Sequence, residues 1–370
     1  MEKDLNLWST ISIFFASFVK TSTDMKFSRL QIIPFLLLWL FLLDSCKSEV
    51  QPKEALSEIL DYEAVDGESE LRKLNDLLIK EPENAELLAQ RADILFKLLR
   101  QDEGLNDISK AFRLDSNSLV VRSVHAGYML GQLKVLSARD DYNFIIQKDP
   151  GNADAYLGLA RTYAVENNNA KAFQYADEAL KRNIRLRDAY VLKGLIFRIE
   201  NKIDLSISSY QTAVEIDPNY YSGFVSLGDL HKIKNNPLAL EYFNTALQIN
   251  PKGTDALYGR GLYLQDAGEI DEAQKIYRKI LKIDPDFYVA YYNQGYIKLV
   301  KQSQFDSAVY FFTKTIEIEP FYADAWYNLG LSEQALGKNR EAIAAFKETL
   351  KINKDFKKAE IEINNILNMK

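Results

Sequence analysis

The chain has 370 residues, 26% of them charged and 47% apolar, with 46 Lys and Arg against 52 Asp and Glu for a formal charge of −6. This is the composition of a folded chain long enough for two ordinary domains or one extended array. The absence of a basic excess excludes the electrostatic footprint that supplies most nucleic-acid affinity. The single cysteine, Cys46, excludes an internal disulfide and leaves the remainder without a thiol nucleophile.

The first element is an apolar run of twelve residues, Ile32 to Leu43, with Pro34 inside it. A helix of that length covers only ~18 Å, too short for a ~30 Å hydrocarbon layer. Met25-Lys26-Phe27-Ser28-Arg29 stands before it. A start-capable methionine and two basic residues ahead of a short apolar run form an export signal. Met25 therefore reads as the natural start, with residues 1–24 as an upstream extension. The run ends Leu43-Asp44-Ser45-Cys46, which resembles the lipobox of bacterial lipoproteins, with Asp44 as a departure from the usual small or apolar residue. The resemblance implies cleavage after residue 45, a diacylglyceryl group on Cys46 and attachment to a membrane by several acyl chains. The alternative is an uncleaved anchor followed by a buried cysteine.

Residues 46–70 follow as an acidic tether. Positions 47–70 hold eight Asp or Glu against two Lys, so the whole net charge of −6 resides there. "KEALSEILDY" within it has helical tendency.

Beyond the tether, Pro82, Ser116, Pro150, Ile184, Pro218, Pro251, Pro285, Pro320 and Lys354 recur at intervals of 34, 34, 34, 34, 33, 34, 35 and 34 residues. Such a period is the mark of a repeat array. Each interval holds two stretches of helical apolar spacing around a short turn such as "DAGEID", so the unit is helix, turn, helix. The boundary prolines stop each second helix. A degenerate half unit at 71–84 precedes eight units at 85–118, 119–152, 153–186, 187–220, 221–253, 254–287, 288–322 and 323–356. Residues 357–370 form a polar capping helix.

One slot of every first helix is small: Ala92, Ala126, Ala160, Gly194, Gly228, Gly261, Gly295 and Gly330. The matching slot of the second helix holds Gly104, Ala138, Ala172, Ser206, Ala239, Ala273, Ala308 and Ala342. Glycine inside a helix costs about 1 kcal/mol relative to alanine, so five at one phase imply a close helix contact. Tyr210, Phe243, Tyr277, Phe312 and Phe346 fill the space around it from the second helix. The 33-residue step contains "KIKNNPLAL" and the 35-residue step "KLVKQSQFDSAV". Both changes are expected in the turns, which leaves Ala239 and Ala308 in the small slot.

Trp326, Leu329, Gly330, Ala342 and Phe346, and likewise Phe224, Leu227, Gly228, Ala239, Phe243 and Pro251, carry the W-x2-L-G, A-x3-F, proline pattern. On these residues the chain resembles the tetratricopeptide repeat proteins. The resemblance implies an all-α fold, a right-handed α-α superhelix whose concave side grips an extended peptide or a partner helix. The residues projected onto that side are Leu157, Arg161, Val191, Leu195, Tyr258, Tyr292, Tyr296 and Tyr327. Tyrosine brings contact area with a polar tip, which suits a protein-binding groove or plain packing equally well. Asn293 and Asn328 occupy identical slots one unit apart, where an amide could hydrogen-bond a peptide backbone. Lys358 adds a charge, giving part of a carboxylate clamp in which Glu362 stands where a second basic residue belongs.

Enzyme chemistry has no foothold in the motifs. "YGRGLY" falls within a helix and carries no nucleotide signal. His125 and His231 lack a ligand at metal spacing and read as satisfied, partly buried imidazoles. Asp140-Asp141 and Asp271-Glu272 read as turn and solvated-face residues, while Arg91, Arg122 and His125 stand in slots where apolar residues are common. No cofactor is implied. The expected protein is a lipid-anchored scaffold in a bacterial cell envelope, on the outer membrane facing the periplasm or the cell surface, holding a protein or peptide partner. The alternatives are a ligand-binding lipoprotein and a co-chaperone on an uncleaved anchor.

Overall fold

The computed structural model describes residues 67–368, and the regular elements among them are all helices. The export signal, Cys46 and the tether up to residue 66 lie outside the described residues. Helix α1 (Gly67–Lys80) packs against α2 of the first full unit and begins ahead of the half unit expected at 71. The pairs α2 (Ala85–Lys97) and α3 (Gln101–Leu114), α4 (Leu119–Gly131) and α5 (Val135–Lys148), α6 (Ala153–Val165) and α7 (Asn169–Arg182), and α8 (Arg187–Ile199) and α9 (Ile203–Ile216) make the first four units. The next four are α10 (Tyr221–Ile233) and α11 (Leu238–Ile249), α12 (Thr254–Asp266) and α13 (Ile270–Ile283), α14 (Tyr288–Tyr296) and α15 (Phe305–Ile318), and α16 (Ala323–Ala335) and α17 (Asn339–Ile352). Helix α18 (Lys357–Asn368) closes the array.

Local chemistry sets the ends of these helices. Asn84, Ser118 and Asn152 cap α2, α4 and α6 by accepting hydrogen bonds from backbone N–H groups of the first turn. Each second helix ends on Asp, Asn or Glu, whose side-chain oxygen accepts from the backbone N–H two residues on: Asp115 from Asn117, Asn183 from Arg185, Asp217 from Asn219, Asn353 from Asp355. This side-chain turn replaces a backbone turn. It explains why Ser116, Ile184 and Lys354 can stand where other boundaries have proline.

Between the helices of every pair one residue takes positive φ: Leu99, Leu133, Asn167, Asn201, Asn235, Gly268, Ser303 and Gly337. The reversal lets the following N–H reach back to a carbonyl five residues earlier, as from Arg100 to Leu95 at 2.9 Å and Asn168 to Tyr163 at 2.8 Å. An L side chain in this region costs roughly 1–2 kcal/mol, and Gly or Asn bear it best. Leu99 (φ 60°) and Leu133 (φ 57°) are nonetheless 82% and 54% exposed, so burial does not offset the strain. Leu133→Asn is therefore expected to stabilise the chain by about 0.5–1 kcal/mol, read as a higher urea midpoint.

The small slots do what their periodicity implies. All sixteen are buried. A Cβ built on Gly194 would meet the Tyr210 ring at 2.8 Å, on Gly228 the Phe243 ring at 2.5 Å, on Gly295 the Phe312 ring at 2.8 Å and on Gly330 the Phe346 ring at 2.5 Å. The glycine surface is thus a seat for the aromatic ring of the partner helix. Tyr210, Phe243, Tyr277, Phe312 and Phe346 are among the largest fully buried side chains.

The two irregular steps keep Ala239 and Ala308 fully buried, as expected. Neither change lies in the turn proper, which corrects that part of the expectation. The extra residue of the seventh unit widens the last turn of its first helix into a π-helical segment, Ile297–Lys301, closed by Gln302 N–H to Ile297 O at 3.1 Å. A π turn absorbs one residue without rotating the helix after it. The missing residue of the fifth unit is taken from the first turn of α11, where Ala239 and Leu240 bond three residues back, to Asn236 and Pro237.

His231 on α10 also departs from expectation. It is 6% exposed, neither ring nitrogen has a hydrogen-bond partner, and the ring stacks on Tyr242 at 5.1 Å. Burial, and to a lesser degree the Lys234 charge, pushes its pKa below 6.5. The folded chain then binds this proton less readily than the unfolded chain, so the contribution of neutral His231 is whole at neutral pH. It falls as pH drops through 6.5 toward the lower folded value. His231→Phe is expected to flatten the urea midpoint between about pH 7 and pH 5 relative to the wild type.

Candidate functional site

First helices of consecutive units touch one another directly, α2 with α4, α4 with α6, α6 with α8 and α10 with α12, whereas second helices approach each other far less. An array in which one set of helices is closer together bends toward that set, so the first helices form the inner face. In the third and fourth units two of the projected residues are covered. Leu157 and Leu195, projected onto the inner face, belong instead to the buried core, because the neighbouring unit covers them. Arg161 reaches across to Asp188 of the next unit at 3.0 Å.

Over the last three units the inner face carries the tyrosines. Tyr258, Tyr292, Tyr296 and Tyr327 are half-buried, and Asn293 and Asn328 are 6% exposed. The Asn293 amide donates to Tyr258 Oη at 3.2 Å, and the Asn328 amide donates to Tyr292 Oη at 3.0 Å. Each bond joins one unit to the next. Glu362 continues the pattern on α18, where its charge and, above all, burial raise the Tyr327 pKa. The residue that breaks a carboxylate clamp therefore stands in the position of the two asparagines. Lys358 lies near Asp324, and its charge opposes the upward shift that burial gives the Asp324 carboxyl.

The rings are held on their other side by aromatics at the end of their own unit. Tyr258 packs against Phe287 at 5.6 Å, Tyr292 against Tyr322 at 5.0 Å and Tyr327 against Phe356 at 5.0 Å. Phe287, Tyr322 and Phe356 were not among the sequence candidates, although their spacing repeats with the unit. Tyr296 packs against the carboxy-terminal core. Tyr258, Tyr292 and Tyr327 also meet the large ring of their own second helix, Tyr277 at 6.4 Å, Phe312 at 5.7 Å and Phe346 at 5.6 Å, so each of the three is held by one hydrogen bond or charge and two aromatic contacts.

At the amino-terminal end the polar residues in apolar slots are mutually satisfied. Asp141 is 2% exposed and accepts from Arg122 Nη1 at 2.6 Å, with His125 Nδ1 2.5 Å from its other oxygen. The Arg122 guanidinium lies over the Phe112 and Phe144 rings, 4.9 and 4.4 Å from their centroids. Asp107 receives a two-pronged bond from Arg91 at 2.6 and 2.8 Å. Asp141 is thus a buried counter-ion and not a solvated residue, while Asp271 and Glu272 are exposed as expected. Among the described residues no group of three His, Cys, Asp or Glu could hold a metal ion.

Family profiles described as tetratricopeptide repeat match residues 130–185, 188–220, 234–293 and 323–356. Protein O-mannosyl-transferase TMTC1 of Homo sapiens is 27% identical over 176 residues, 45% of this chain and 20% of its own length. TPR repeat-containing protein MJ1428 of Methanocaldococcus jannaschii is 25% identical over 234 residues, 57% of this chain and 39% of its own. The chain thus spans well under half of these relatives, and the transferase is matched over repeats alone. Among solved structures, the APC/C hetero-tetramer Cut9-Hcn1 superposes with a TM-score of 0.55 at 20% identity, covering 85% of this chain and 62% of that one. With the repeat profiles and the helix order agreeing, the chain is a helical solenoid of tetratricopeptide repeats.

Proposed function

We propose that the protein is a membrane-anchored scaffold, tethered by lipid on Cys46, which holds an extended segment of a protein partner in a bacterial envelope assembly along the inner face of its last three repeats. The observation that carries this reading is the fixed row of Tyr258, Tyr292 and Tyr327 on consecutive units. Rings already immobilised lose little conformational freedom on binding, and preorganisation of this kind raises affinity without new contacts. Asn293 and Asn328 serve the groove by positioning the phenols. Lys358, near Asp324, is the charged end of the same face. The scaffold itself requires no cofactor and carries out no reaction.

Two measurements test the reading. Cys46→Ser is expected to release the protein from membranes or leave its signal uncut, and normal processing with unchanged retention would sink the anchor. Changing Tyr292 and Tyr296 together to alanine is expected to weaken capture in crosslinked pull-downs from intact envelopes by roughly thirtyfold, about 2 kcal/mol. The comparison is made at a temperature where circular dichroism shows the variant folded. A folded variant with full capture would remove these rings from the site.

A further inference from the structure

Two of the eight left-handed turn residues differ in kind from the others. Asn167, Asn201, Asn235, Gly268, Ser303 and Gly337 are residue types that tolerate the turn or meet water readily, whereas the first two units place Leu99 and Leu133 there. A leucine in this conformation is strained, and an exposed one gains nothing in water to offset the strain. Leu136, one turn further on, is 70% exposed. The equivalent turns at the far end of the array carry exposed charges, Glu269 and Asp271 in the sixth unit and Lys338 and Arg340 in the eighth. The third unit interrupts the apolar edge with a polar stretch at residues 167–169, and the fourth and fifth units resume it with the exposed Ile199, Leu205, Ile233 and Leu238, without a leucine in the left-handed position.

The described residues begin at this same edge. Gly67, the first residue of α1, lies against the end of α2, where a Cβ on it would be 3.2 Å from Ile94 Cγ2 and Leu98 Cδ2. The 21 steps from Cys46 to Gly67 span at most ~70 Å when fully extended. A lipid surface that held Cys46 would therefore be within reach of Leu99 and Leu133. Each leucine is followed by a basic residue, Arg100 and Lys134. Long basic side chains can keep their charge at the headgroups while their neighbours enter the acyl region. Arg100 is paired with Glu103 at 2.7 Å, so the edge carries little net charge and its attraction is apolar.

We propose that the turn edge of the first two repeats rests on the bilayer that holds Cys46, with Leu99, Leu133 and Leu136 inserted at the headgroup boundary. This rests on the lipid-anchor reading above. It gives the strained leucines the apolar surroundings that water denies them, and it leaves the tyrosine-bearing repeats clear of lipid for a partner.

The test uses the full chain in phosphatidylethanolamine and phosphatidylglycerol vesicles containing nitroxide-labelled lipid, with bimane on Gln132→Cys beside Leu133 or on Glu269→Cys at the corresponding edge of the sixth unit. Fluorescence at position 132 is expected to be quenched about twofold more than at 269, with little dependence on salt. The double substitution L99N and L133N is expected to abolish that difference while the melting temperature stays the same or rises, because asparagine suits the turn better. Equal quenching at both positions, or quenching at 132 that survives the double substitution, would overturn the proposal. So would a label at 132 that is shielded from soluble iodide yet untouched by nitroxide lipid, which would place a protein on the edge. Mass spectrometry counts one bimane where Cys46 is acylated and two where it is free. In the second case the anchor fails, and the same quenching comparison in a Cys46→Ser background decides the edge by itself.

Discussion

Asp141→Ala is expected to destabilise the second repeat by about 3–5 kcal/mol, the usual cost of leaving the partner of a buried ion pair uncompensated. The carboxylate is enclosed, and it faces both Arg122 and His125. Removing it leaves two nitrogen groups side by side, with Arg122 still fixed over Phe112 and Phe144 and still donating to Ser116 O at 2.6 Å. Replacing Arg122, His125 and Asp141 together by apolar residues of similar volume is expected to cost far less, since the desolvation of three polar groups disappears with their attraction. Urea midpoints of the wild type, Asp141→Ala and the triple variant check this, and amide exchange in α4 and α5 shows whether the loss is local. A single-variant loss below about 1 kcal/mol would mean that water screens the site. The homologous change Asp107→Ala should cost less, because Arg91 is the more exposed cation.

The Asp141 cluster also shows where sequence reasoning stopped. Helical phase places a side chain on a face, and it placed the small slots and the five large rings correctly because their partners lie at the same step in every unit. Asp141 looked like half of an acidic pair in a turn. Only the fold brings Arg122 and His125, nineteen and sixteen residues earlier, onto the opposite helix. The same holds for the candidate groove. Tyr258, Tyr292 and Tyr327 were legible as a row, but the projection could not show that their hydroxyls reach the asparagine slot one unit on. Nor did it draw in Phe287, Tyr322 and Phe356 as their supports. The period was overt at the prolines and at the acidic residue before them, while the turn that the Asp, Asn or Glu side chain closes, even at Ile184, was not read. The extra residue in the seventh unit was visible as a count. Its location was not, because a π turn and a longer loop have the same length.

Phe243→Ala is expected to cost about 3–5 kcal/mol, the range for truncating a fully buried aromatic side chain. It is also expected to divide the array at its centre. The ring serves two units: Cβ atoms built on Gly228 of its own unit and on Gly259 of the next would both lie 2.5 Å from its Cε1. Losing it opens a cavity between α10, α11 and α12, and in a solenoid, where each unit is stabilised by its neighbours, such a gap weakens propagation from one half to the other. The urea transition of the variant should therefore be broader than that of the wild type or split, and amide protection should fall first on either side of residue 243. The glycines supply the complementary experiment. Gly228→Ala should destabilise by about 1–3 kcal/mol through overpacking against the same ring. Combining Gly228→Ala with Phe243→Leu should restore part of the loss, because the added methyl then fills space that the smaller side chain leaves. Additive losses in the double variant would show that ring and glycine act independently, against the close fit between them.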